Sequence, residues 1–227
     1  MSATFSDLYI RTFTFWEHLS EREKELASAS THQVFYPRGT QVHSGTLDCI
    51  GVLLIKRGQL RVYTLSEDGR DVTLYRLFPG DVGILSASCS LDAITFAVNI
   101  DAEEDTEALL TDAAAFRQLV EGNIYVKAYG YELATRRLSE MLWKMQQILF
   151  LSADRRLAIF LTEEMEKTGS PEIQLTHEQI ARYMGSAREV VSRLVKYFAQ
   201  EGLVKPGRGR LTILSPARLR ELAGSRA

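Results

Sequence analysis

Residues Leu175-Thr-His-Glu-Gln-Ile-Ala-Arg-Tyr-Met-Gly-Ser-Ala-Arg-Glu-Val-Val-Ser-Arg-Leu194 form two short amphipathic segments broken at Gly185. Thr176 with Gln179, and Ser186 with Glu189, each fit the S/T-x-x-E/Q capping box, in which side chains satisfy the orphan N–H groups at a helix start. Gly185 between them can adopt the backbone of a tight turn. The spacing predicts helices over residues 176–184 and 186–200, a helix-turn-helix.

In the second segment Val191, Leu194, Val195 and Phe198 recur at helical spacing and are expected to face a core. Arg188, Glu189, Ser192, Arg193 and Lys196 then fall on the opposite side. Arginine offers a bidentate fork that matches guanine O6 and N7, and glutamate accepts from the cytosine amino group, so Arg188, Glu189 and Arg193 suit G·C pairs in a major groove. Thr176, Ser186, Ser192 and Lys196 are placed for phosphates, which set register without reading sequence. Downstream, Gly202-Leu-Val-Lys-Pro-Gly-Arg-Gly-Arg-Leu-Thr-Ile-Leu214 has two β-type runs around a Pro-Gly-Arg-Gly turn, a wing whose Lys205, Arg208 and Arg210 add further backbone contacts. Residues 176–227 carry ten Lys and Arg against four Asp and Glu. That surplus of six leaves the first 175 residues eight negative in a chain of net charge −2. A basic end on an acidic body is an electrostatic footprint for nucleic acid.

The run Gly185-Ser-Ala-Arg-Glu-Val-Val-Ser-Arg193, followed by Leu194, Lys196, Gly202-Leu203 and the basic wing, resembles the winged helix of the CRP/FNR family of bacterial transcription regulators. On that resemblance Arg188, Glu189 and Arg193 take the places of the family's base-reading residues. Residues 33–111 have a different texture, with short β-rich runs punctuated by glycine. Strands are expected around Val34–Tyr36, Ile50–Lys56, Gln59–Leu65, Val72–Phe78 and Thr95–Ile100, an antiparallel sandwich or barrel. The rhythm Arg38-Gly39, Arg57-Gly-Gln-Leu60 and Phe78-Pro-Gly-Asp81 resembles the sensor β-roll of the same family.

Residues 112–149 read as one long helical stretch, in which Ile124, Tyr131, Leu138 and Met145 recur every seven positions. Ala134, Met141 and Ile148 follow three later, a heptad pattern that needs a partner helix. Ile124, Tyr131, Leu138, Met141, Met145 and Ile148 are therefore expected to form a homodimer seam, with packing on the chain's own β-roll as the alternative. Dimerisation would set two recognition helices about one DNA turn apart, on a pseudo-palindromic operator. Ser152 is the expected N-cap of a further helix ended by Gly169-Ser-Pro171, which makes 150–152 a hinge. The fold class expected is α+β, made of a jelly-roll sensor over 1–115, a dimerisation helix over 116–150 and a winged helix-turn-helix over 151–227.

In cyclic-nucleotide-binding members of that family, the loop after the Pro-Gly-Asp/Glu turn carries a ribose-binding Glu and a phosphate-binding Arg-Ser pair. Here residues 77–116 hold no Lys or Arg and eight acidic residues, so a buried phosphate lacks its charge-assisted partner and cAMP is disfavoured. An unknown small effector is expected near Gly80, Asp81, Gly83, Ser86, Cys89 and Tyr131, with backbone amides at 83–86 suited to an uncharged or weakly anionic ligand. Two cysteines, Cys49 and Cys89, fall short of the roughly four thiolates of an iron–sulfur cluster. Haem on His18, His32, His43, Cys49, Cys89 or a methionine, and a thiol switch at Cys89, remain open.

No apolar run reaches 18 residues and the first residues lack a basic region before an apolar stretch, so a cytoplasmic protein without membrane segments is expected. An enzyme of the cupin type needs clustered ligands, yet His18, His32, His43 and His177 show no His-x-His or Glu-x-x-His spacing; no metal or catalytic site is expected. A ligand-binding module whose winged helix docks protein is the other alternative, but it has no need of the basic surplus. RNA polymerase is the further partner if the chain activates transcription.

Overall fold

The computed structural model describes residues 3–44, 51–67, 69, 71–84 and 98–224. The elements in order are α1 (Ala3–Thr12), a 3-10 turn (Trp16–His18), α2 (Glu21–Ala29), β1 (Thr31–Tyr36), β2 (Gln41–Ser44), β3 (Val52–Arg57), β4 (Leu60–Leu65), β5 (Asp71–Leu77), β6 (Val82–Ile84), β7 (Asn99–Ala102), β8 (Thr106–Thr111), α3 (Ala113–Gly122), α4 (Ile124–Phe150), α5 (Ala153–Thr168), β9 (Glu172–Ile173), α6 (His177–Met184), α7 (Arg188–Gln200), β10 (Val204–Gly207), β11 (Arg210–Ile213) and α8 (Pro216–Ala223). They divide into two compact units, Met1–Asp68 with Leu74–Met141, and Gly69–Thr73 with Leu142–Ala227. The division falls inside α4.

The first unit is a roll of two antiparallel four-stranded sheets, ordered β1-β8-β3-β6 and β2-β7-β4-β5. Successive side chains of a strand point to opposite faces, and β3 is buried on both. Leu53 and Ile55 join Leu60, Val62, Leu77, Ile100 and Ala108 between the sheets. Val52 and Leu54 join Tyr9, Phe13, Phe15, Phe116, Leu119, Val126 and Leu133 under the helices. That double burial is why the strand reads Val-Leu-Leu-Ile without alternation. The β3–β4 hairpin turns at Gly58, whose φ is +86°, and a Cβ there would collide with the Asp105 carbonyl.

Three expectations are corrected here. The Thr95–Ile100 strand begins at Asn99 as β7, its residues 95–97 lying outside the described part. β2, β6 and β8 go beyond the expected strands, as do α1 and α2, although Ser20 and Glu23 form a complete capping box that the sequence displays. The long helix of residues 112–149 is two helices broken at Asn123, which is extended (φ −133°, ψ 117°). Its side chain explains the break: Oδ1 accepts the Tyr125 N–H at 3.0 Å, and Nδ2 donates to the His18 carbonyl at 3.1 Å and the Glu23 carboxylate at 3.2 Å. Asparagine offers its backbone such alternatives to the helix ladder.

Tyr129 on α4 packs edge-on against Phe13 and Phe15, with centroids 5.6 and 5.2 Å away. Burial among these rings pushes its phenol up to about 12. The folded state therefore holds the proton more tightly than the unfolded chain, where tyrosine titrates near 10. Stability is expected to fall by on the order of 2 kcal/mol as pH rises from about 10 to about 12. Urea unfolding at the two ends of that window measures the fall, and Tyr129→Phe should lessen it; an equal fall in the variant refutes the assignment.

Candidate nucleic-acid interface

The second unit is built around one apolar cluster. Leu157, Phe160 and Leu161 of α5, Ile180 and Tyr183 of α6, Val191, Val195 and Phe198 of α7, and Leu211 and Leu219 meet there, all buried. The apolar stripe of α7 thus faces inward as its periodicity requires, with Leu194 partly buried beside it. Ser152 has the N-cap backbone of α5, but its hydroxyl makes no cap bond to a backbone amide. It bonds Asp154, holding that carboxyl below the usual range.

At α6 the reciprocal capping box forms as expected. The Thr176 Oγ1 accepts the Gln179 N–H at 3.2 Å, and Gln179 Oε1 accepts the Thr176 N–H at 2.9 Å. The helix ends on Gly185 (φ +61°), and the Ser186 N–H returns to the Ala181 carbonyl at 2.9 Å. This closure of the C-terminus is what corrects the second helix start. Ser186 is engaged in ending α6, so α7 begins at Arg188 with Ala187 as N-cap and no side-chain cap, and the Ser186–Glu189 box does not form. Glu189 keeps a favourable place in the first turn, beside the positive end of the helix dipole. At the C-terminal end of α6, Lys144 Nζ donates to the Tyr183 carbonyl at 3.0 Å and Arg156 Nη1 to the Met184 carbonyl at 3.4 Å. Cations on those carbonyls stabilise the C-terminus of α6.

Arg188, Glu189, Arg193 and Lys196 are all exposed. Among the described residues none of the four is held in an ion pair. Ser192 is half-buried, its Oγ 3.1 Å from the Nδ1 of His177. The wing is the β10–β11 hairpin, with β9 as its third strand in the order β10-β11-β9. Its turn is Arg208-Gly209, tighter than the four-residue turn expected; Gly207 pairs with Arg210 and Gly209 supplies φ +69°. Pro206 is accommodated because β10 is an edge strand. Lys205 and Arg208 are exposed, while Arg210 is drawn to Glu172 on β9, Nη1 to Oε1 3.3 Å. Among the described residues, Arg210 is thus the one expected wing cation with an acidic neighbour.

In the sensor unit, the expected effector residues divide. Gly80 (φ +90°) makes the Pro-Gly turn, and its N–H donates to the Ile55 carbonyl at 2.8 Å. The Asp81 carboxylate accepts the Phe78 N–H at 2.8 Å, closing the same turn. Gly83 is buried in β6 opposite Leu53. Ser86, Cys89 and Cys49 lie outside the described residues. Tyr131 is half exposed on the heptad stripe of α4. The α4 residue that reaches β6 is Arg137, unnoticed in the sequence because it is no heptad position. Its guanidinium stacks over the Tyr75 ring at 4.7 Å, donates to the Val82 carbonyl at 3.4 Å and pairs with Glu140 at 2.8 Å. A cation therefore stands beside the Arg-free segment, already neutralised by Glu140.

The heptad stripe itself is bare. Ile124, Tyr131, Leu138, Met145 and Ile148 are between 44% and 71% exposed in the single chain, and Met141 is half-buried. The α4 side chains that pack on the sensor core are instead Val126, Tyr129 and Leu133. Of the other histidines, His18 stacks on Tyr125 at 3.8 Å, His32 lies 3.8 Å from Asp112 and His43 is buried. Among the described residues no three His, Cys, Asp or Glu side chains converge as metal ligands, and no helix is long and apolar enough to cross a membrane.

Comparison with known proteins agrees with both halves of this architecture. Residues 33–123 match the cyclic nucleotide-binding domain and residues 155–222 the Crp-like helix-turn-helix domain. The cyclic AMP receptor protein of Thermus thermophilus is 28% identical over 206 residues, covering 90% of this chain and 94% of that protein. The transcriptional regulator LdrP of the same organism is 31% identical over 185 residues, covering 75% and 86%. A crystal structure from Eubacterium rectale, described as a transcriptional regulator of the Crp/Fnr family, superposes with a TM-score of 0.87 at 43% identity, covering 95% of this chain and all of that one.

Proposed function

The chain belongs to the CRP/FNR family of DNA-binding transcription regulators, not to a family of enzymes, and on that premise we propose that it reads a pseudo-palindromic operator as a homodimer. The observation that carries the reading is the outward face of α7, where Arg188, Glu189, Arg193 and Lys196 stand exposed and without ion-pair partners among the described residues. Arg188, Glu189 and Arg193 read base edges, while Thr176, Ser186, Ser192, Lys196, Lys205, Arg208 and Arg210 meet the sugar-phosphate backbone. The bare heptad stripe of α4 supports a second copy as the partner that covers it. The protein works in the cytoplasm, and contacts RNA polymerase where it activates.

Its control is by a small effector at the β-roll other than cAMP. The segment 77–116 supplies no cation for a cyclic phosphate, and Arg137 is committed to Glu140. The divisions at 115/116 and 150/151 remain the proposed functional ones, with α4 relaying the sensor state to the reader. Selection from a randomised duplex library, run with and without cAMP, tests both parts. It is expected to return a two-fold symmetric motif with half-sites roughly 34 Å apart, and the same motif and affinity with cAMP as without. An asymmetric single half-site argues against the dimer, and a ten-fold tightening by cAMP against the effector assignment.

A further inference from the structure

We infer that His177 is a positioning residue for the DNA-reading face, holding the Ser192 hydroxyl as a donor toward the duplex. The inference rests on α7 presenting its outer face to DNA. Ser192 is one helical turn from Arg188 on one side and from Lys196 on the other, so it occupies the middle of the cationic face. A lone serine hydroxyl there rotates among staggered wells. The imidazole of His177, the first residue of α6, removes that freedom by bringing Nδ1 to 3.1 Å from Ser192 Oγ. Both side chains are half-buried, so the hydrogen bond spans the two helices of the motif at the edge of solvent.

The direction of this bond decides what DNA meets. Serine has one O–H, and histidine Nδ1 is a donor or an acceptor according to where the ring carries its proton. When Nδ1 accepts, it consumes the hydroxyl proton and leaves only lone pairs facing an acceptor-rich duplex. When Nδ1–H donates to Oγ, the hydroxyl proton is free for a phosphate oxygen or a guanine acceptor. An approaching phosphate favours the second arrangement, in which the two bonds run in series and polarise each other. His177 acts through Ser192, and no direct contact of the ring with DNA is required.

The test uses fluorescence anisotropy on the full-length protein with two probes, the duplex that the wild type selects from a randomised library and a scrambled duplex of equal length. His177→Ala is expected to weaken the selected duplex about ten-fold, the loss of one hydrogen bond, and the scrambled one by a similar factor, because the contact that Ser192 makes is to the phosphate backbone. His177→Asn, whose amide nitrogen falls near the Nδ1 position, restores affinity to within about two-fold, a rescue that a generic packing role does not give. In a Ser192→Ala background, His177→Ala adds nothing. The inference is overturned if His177→Asn binds as weakly as His177→Ala, or if the losses from His177→Ala and Ser192→Ala multiply. Arg188→Ala on the same duplex separates the two levels. If it weakens binding while His177→Ala does not, only the His177 role fails; if neither weakens binding, the assignment of the α7 face fails with it.

Discussion

Leu138→Asp is expected to turn the proposed dimer into a monomer at micromolar concentration in sedimentation velocity. Leu138 lies midway along the heptad series Ile124, Tyr131, Leu138, Met145 and is 53% exposed in the single chain. Exposure makes the substitution a clean one, because little in the protomer's own core rests on this side chain. In a two-fold seam the change enters twice at facing positions, so each dimer loses two apolar side chains worth about 1.5–3 kcal/mol apiece when buried. It also gains two carboxylates that must be desolvated side by side, a cost of several kcal/mol more. A nanomolar dimer weakened by about 6 kcal/mol dissociates well above micromolar concentration. The variant should retain the wild-type far-UV spectrum while its affinity for a two-half-site operator collapses toward that of one half-site. A variant that stays dimeric at the concentrations where the wild type does would show that the stripe is covered by something else.

Much of this architecture is legible in the sequence, and the parts that are not share a cause. The helix-turn-helix can be read because its signals are local: Thr176 and Gln179 cap each other three residues apart, and Gly185 stands where a left-handed residue is required. Local signals also mislead when two of them compete for one residue. Ser186 and Glu189 have the form of a capping box, but the Ser186 amide closes α6 onto Ala181, and α7 starts two residues late. The break at Asn123 is hidden for a different reason. It depends on His18 and Glu23, about a hundred residues earlier, which no window over residues 112–149 contains. β8 escapes because its Thr-Glu-Ala-Leu-Leu-Thr has weak strand propensity of its own, and its conformation is set by pairing with β1 and β3 on either side. Arg137 escapes because a heptad reading directs attention to the face of α4 away from the β-roll, while this side chain reaches Tyr75 and Val82.

The same contrast explains why the reader is better defined than the sensor. Recognition of DNA needs side chains on the outside of one helix, and periodicity alone says which they are. Recognition of a small effector needs groups from several strands brought together by tertiary structure. Gly80 and Asp81, which the sequence suggests for that role, also have structural contacts of their own: the Gly80 N–H donates to the Ile55 carbonyl, and Asp81 closes the Phe78–Asp81 turn. Both residues fix where the following strand begins.

Charge reversal at two positions, Arg188→Glu with Arg193→Glu, is expected to abolish operator binding, and the single alanine variants should divide by role. Both arginines project from the exposed face of α7 with no carboxylate partner among the described residues, so neither carries a compensating structural burden. A bidentate arginine on guanine is worth about 1–3 kcal/mol of discrimination, so Arg188→Ala should weaken the operator by about five- to 150-fold. It should also make the duplex indifferent to base identity at one G·C pair, leaving scrambled DNA almost unaffected. Lys196→Ala removes a phosphate contact instead. Its loss falls equally on operator and scrambled duplex and reduces the slope of log affinity against log salt by about 1. Reversing both arginine charges replaces two attractions by two repulsions against a polyanion, and no backbone contact from Lys205 or Arg208 recovers that. Anisotropy titrations from 50 to 300 mM salt separate these outcomes. Equal losses on operator and scrambled duplex for Arg188→Ala would move that residue from the base-reading set to the phosphate-binding set, and retained operator binding by the double reversal would remove α7 from the interface altogether.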